Sequence, residues 1–115
     1  MMNILVLAEQ HEGINKKNSF EAITLGRKAA DLTGGKCIAL CLGESSNADD
    51  LKQFGADKIV HIADPNLNHA NSEQYTYAVS RIAEEEACKL IVLSHSATGK
   101  SIAGRLSVKM SLMCI

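Results

Sequence analysis

The sequence predicts an α/β domain: an open parallel sheet in the common order 3-2-1-4-5, with helices on both faces. Two observations carry this. Short continuous apolar runs recur along the chain, and such runs mark strands buried on both faces. Between them lie segments with apolar residues at helical spacing, so the elements alternate β-α-β-α-β-α-β-α. That alternation implies parallel strands joined by right-handed crossovers.

Asn3-Ile-Leu-Val-Leu-Ala8 is the first strand. Glu9 to Lys17 is polar and contains a glycine, so a loop is expected. Asn18 is placed to cap a helix, with Glu21 three residues on as in a capping box. Phe20, Ala22, Ile23, Ala29 and Ala30 keep helical spacing, and Thr33-Gly34-Gly35 ends the helix. Lys36 to Leu42 is the second strand, broken by Gly43. A short helix is expected over Ser46 to Phe54, with Ala48, Leu51 and Phe54 on one side and Gly55 closing it. Lys58-Ile-Val-His-Ile62 is the third strand, and Asp64-Pro65-Asn66 a turn. Ser72 opens a long helix through Tyr75, Val79, Ile82 and Ala83 to Ala87. Cys88 to Ser94 is the fourth strand, Ser101 to Met110 a last helix, and Leu112-Met-Cys-Ile115 the opening of a fifth strand. An apolar strand at that point is expected to continue into a longer polypeptide.

The 115 residues suffice for one domain with one core. Net charge is −1, and Lys and Arg are scattered among acids, which argues against a nucleic-acid binder. No apolar run approaches the ~20 residues that span a bilayer. The start shows neither a signal peptide nor a presequence, so a cytoplasmic protein is expected; the mitochondrial matrix, the eukaryotic alternative, would call for a presequence that is not seen. Cys37, Cys41, Cys88 and Cys114 form no C-x-x-C pair and have no histidine at metal-ligand spacing. Buried, reduced thiols are expected, with Cys37 and Cys41 on one face of their strand, and no metal site.

In such a sheet ligands bind at the carboxyl ends of the strands, where the strand order reverses. Two loops face that crevice: Glu9 to Gly13, and Ser94 to Lys100. The second supplies a candidate pocket, Ser94, Ser96, Thr98, Gly99 and Lys100. Hydroxyls, a glycine for close backbone approach, a cation and a helix start suit a phosphate or an adenosine. The plainer reading is that Ser96 or Thr98 caps the last helix. Gly99-Lys100-Ser101 looks like the end of a P-loop, but position 94 is Ser where the leading glycine belongs, so a P-loop is excluded. There is no G-x-G-x-x-G. His11 and His95 could meet across the crevice, with no third partner in view. His61 reads as a sheet residue, and Glu84-Glu85-Glu86 as a solvated face or a partner surface.

Ile4-Leu-Val-Leu-Ala-Glu9, Ala56-Asp-Lys-Ile-Val60 and Ala97-Thr98-Gly99-Lys100 together resemble the N-terminal domain of the electron transfer flavoprotein alpha subunit. The resemblance spans essentially the whole chain, with Ser96-Ala97-Thr98 standing where the family has A-T-T. It implies an adenine nucleotide alpha hydrolase-like fold. It also implies a heterodimer with an electron transfer flavoprotein beta subunit, passing electrons from acyl-CoA or other dehydrogenases to a quinone reductase. FAD would be held mainly by a C-terminal domain, which residues 1–115 lack. The role implied here is scaffold and subunit contact, with no catalytic residue and no cofactor of this stretch's own. Isolated, it is expected to self-associate through the Leu112–Ile115 edge or its subunit-contact face. The competing readings are a stand-alone adenine-nucleotide module similar to universal stress proteins, and a small hydrolase or transferase using His11 and His95. The first lacks the glycine run of those proteins, and the second lacks a nucleophile.

Overall fold

The structure, a computed structural model, describes residues 3–11, 14–15, 17–43, 48–62, 72–93, 101–106 and 113–114. Its main sheet has five strands: β1 (Asn3–Ala8), β4 (Cys37–Leu42), β5 (Lys58–Ile62), β6 (Cys88–Val92) and β7 (Met113–Cys114). The spatial order is β5-β4-β1-β6-β7, every pairing parallel, which is the expected 3-2-1-4-5. β1 is central, with Leu5 opposite Ile38 on one side and Ile91 on the other.

Helix α1 (Lys17–Thr33) and a 3-10 helix (Ala48–Phe54) cover one face of the sheet; α2 (Ser72–Glu85) and a helical stretch over 101–106 cover the other. Strand alternation divides the core between them. Ile4, Val6 and Ala8 pack with Ile23, Ala30 and Leu51, while Leu5 and Leu7 pack with Val79, Ile82 and Ile102. Cys37 and Cys41 share the α1 face, as their spacing predicts. Phe20 and Phe54 join α1 to the 3-10 helix, with ring centroids 4.5 Å apart.

Three local expectations change. Residues 9–17 are not a plain loop: β2 (Gln10–His11) and β3 (Ile14–Asn15) form a small antiparallel hairpin. Asn18 lies inside α1, which already includes Lys17, so it is not the helix cap. The neighbouring Ser19 is fully buried, and its hydroxyl donates to the Glu9 carbonyl at 2.5 Å, tying the helix start to the end of β1. The short helix before β5, Ala48–Phe54, takes the tighter 3-10 form, with Leu51 fully buried.

α1 lies very close to the sheet at Gly26. A Cβ there would stand 2.4 Å from Val6 Cγ2 and 3.3 Å from Cys37 Sγ. At the opposite end from the strands' carboxyl edge, Arg27 ties three elements together. Its Nη1 donates to Asp57 Oδ2 at 2.6 Å and to the Gly55 carbonyl at 3.2 Å, and its Nε to Asp31 at 3.0 Å. Asp57 Oδ2 also accepts the Cys37 amide at 2.9 Å. Gly55 has φ +121°, and a Cβ there would meet Arg27 Cβ at 2.9 Å, so glycine is what lets the arginine through.

The Cys37 amide, with Arg27 beside it, holds the Asp57 carboxyl below its ordinary value, against the opposing effect of partial burial. Its stabilisation is therefore complete above the unfolded carboxylate pKa of about 3.9 and is lost as pH falls through the lower folded value. Asp57→Ala is expected to cost about 1 kcal/mol at pH 7, since the group is partly exposed. Urea melts should show the gap between wild type and variant closing below about pH 4; a gap that widens on acidification would contradict this account.

Candidate functional site

The sheet order reverses between β1 and β6, so the crevice expected of this fold opens at their carboxyl ends. Val6 pairs with Val92 there, and the hairpin follows directly on β1. The proposed pocket residues Ser94, Ser96, Thr98, Gly99 and Lys100 lie outside the described residues, as do His95 and His69. The topology brings the chain on either side of residues 94–100 to the crevice, because β6 ends at Val92 and the stretch 101–106 buries Ile102 and Leu106 against the sheet. His11 is in β2, in register with Ile14.

What is described at this edge is acidic or neutral. Glu9, the residue after β1, is buried. Tyr75, in the first turn of α2, is half-buried; burial pushes its phenol up, and the nearby Glu9 charge adds to that. Thr76 and Ser19 are buried hydroxyl residues, Ser19 being committed to the Glu9 carbonyl. A buried carboxylate raises the electrostatic cost of placing a phosphate beside it. Among the described residues no group of His, Cys, Asp and Glu could hold a metal ion.

His61 is a sheet residue, as its position in β5 predicts: its Nε2 lies 2.7 Å from the Gly43 carbonyl. Glu84 and Glu85 are exposed, whereas Glu86 turns inward to Lys58, and its carbonyl accepts from Asn3 Nδ2 at 3.0 Å.

The sequence did not single out an open groove of about 640 Å³ between α2 and the end of β5. Ile62, Tyr77, Ala78 and Ile82 give it apolar walls, and Glu73 and Glu85 stand at its ends. An exposed Tyr77 beside a buried helical stripe was the available signal.

The cysteines Cys37, Cys41 and Cys88 are free and buried. Burial pushes each thiol up to about 11. At pH 8 they are expected to react slowly with an alkylating reagent in the folded protein and promptly in urea, as read by peptide mass spectrometry. Prompt labelling of any of the three in the native state would refute their burial.

Comparison with known proteins gives a consistent result. The family model described as "Electron transfer flavoprotein domain" matches residues 4–115. The electron transfer flavoprotein subunit alpha of Bacillus subtilis is 29% identical over 109 residues, covering 93% of this chain and 33% of that protein. Protein FixB of Clostridium saccharobutylicum is 29% identical over 109 residues, covering 94% of this chain and 33% of its own length. The chain thus spans about a third of these curated relatives. Among solved structures, a universal stress protein from Archaeoglobus fulgidus superposes with a TM-score of 0.63 at 15% identity, over 100% of this chain and 97% of that one. This last likeness shows the fold, the adenine nucleotide alpha hydrolase-like arrangement.

Proposed function

We propose a role that proceeds from family membership: the chain belongs to the electron transfer flavoprotein domain family, and it acts as the scaffold and subunit-contact domain of an alpha subunit. In this reading residues 1–115 are one α/β domain, the counterpart of the N-terminal third of an alpha subunit. It docks against a beta subunit, in a heterodimer whose FAD takes electrons from acyl-CoA or other dehydrogenases and delivers them to a quinone reductase. The domain does no chemistry of its own; it is part of a carrier rather than a classical enzyme. The observation that carries this is the match over residues 4–115, together with relatives that cover nearly all of this chain with a third of their own length. A cytoplasmic location fits the bacterial sources of those relatives. No helix among the described residues is long and apolar enough to cross a membrane.

The flavin is assigned to other parts of the complex, because residues 1–115 carry no G-x-G-x-x-G dinucleotide fingerprint. The chain purified alone and washed is expected to be colourless. Co-expressed with the beta subunit of its own organism, it is expected to purify as a one-to-one complex. Flavin absorbance retained by the chain alone, or a failure to associate with the beta subunit, would overturn the scaffold reading.

The missing P-loop glycine, with Ser94 in its place, predicts weak adenine-nucleotide binding. Titration calorimetry with AMP is expected to give a dissociation constant above about 10 μM, corresponding to about −7 kcal/mol. A tighter constant, weakened by Lys100→Ala, would favour the nucleotide-binding alternative. Without its beta subunit the chain is expected to self-associate through the β7 edge or the subunit-contact face. Sedimentation at micromolar concentration tests this, and a strictly monomeric species would contradict it.

A further inference from the structure

We draw no further inference here: the strongest candidate, the open groove between α2 and the end of β5 walled by Ile62, Tyr77, Ala78 and Ile82, is an unpartnered apolar face, and nothing in the structure shows what covers it.

Discussion

Leu5→Ala is expected to lower stability by about 2–5 kcal/mol. Leu5 is fully buried in the central strand, between Ile38 and Ile91 of its two neighbours. On its face it packs in one cluster with Leu40, Val79 and Ile102. Truncation leaves a cavity that parallel strands on both sides cannot close, so the cost belongs at the upper part of that range. Against a total stability of about 5–15 kcal/mol, that is a large fraction. In urea, with a slope of about 1–3 kcal/mol/M, the midpoint should fall by at least about 1 M with the slope unchanged. Leu32→Ala is the control: Leu32 is 88% exposed, and its truncation should stay within about 0.5 kcal/mol. Similar losses at the two sites would show that β1 is not the centre of the core.

Gly26→Ala is expected to destabilise, although alanine is the better helix former by about 1 kcal/mol. The new methyl would arrive 2.4 Å from Val6 Cγ2, a branched side chain held on the central strand that cannot swing away. Overpacking of this kind costs about 1–3 kcal/mol, and so close an approach exceeds the propensity gain. The pair Val6→Ala with Gly26→Ala isolates the contact. Each single change should destabilise, and the double variant should be more stable than the sum of the two predicts. If Gly26→Ala alone raises the midpoint, α1 does not lie as close to the sheet as described.

β1 and β4 were legible because they are buried on both faces, so each is written as a nearly unbroken apolar run. Ile4 to Ala8 and Cys37 to Leu42 are buried throughout, and their limits were read to within a residue. The helices were legible because their buried stripes are narrow: Ile23 and Ala30 on α1, Val79, Ile82 and Ala83 on α2. The β2–β3 hairpin was not, since two-residue strands such as Gln10–His11 carry too few side chains to show a period. The 3-10 form of Ala48–Phe54 was equally hidden, because three-residue spacing of Ala48, Leu51 and Phe54 suits both helix types. The crevice position followed from strand order, a topological property that alternating elements imply. The burial of Glu9 did not, because Glu9 looks like the first residue of a solvated loop until Ser19 is seen to bond its carbonyl.

The central place of β1 sets the order of events during synthesis. β1 leaves the ribosome first, yet its two neighbours are Cys37–Leu42 and Cys88–Val92. Until residue 92 has emerged, one side of this apolar central strand has no native partner. A nascent chain of about this length therefore presents an unpaired hydrophobic edge for the several seconds that its remaining residues take at ~5–20 per second. Such an edge is a template for wrong pairings and a natural target for a chaperone. The arrangement that puts β1 at the centre of the finished sheet makes that same strand a vulnerable part of the unfinished one.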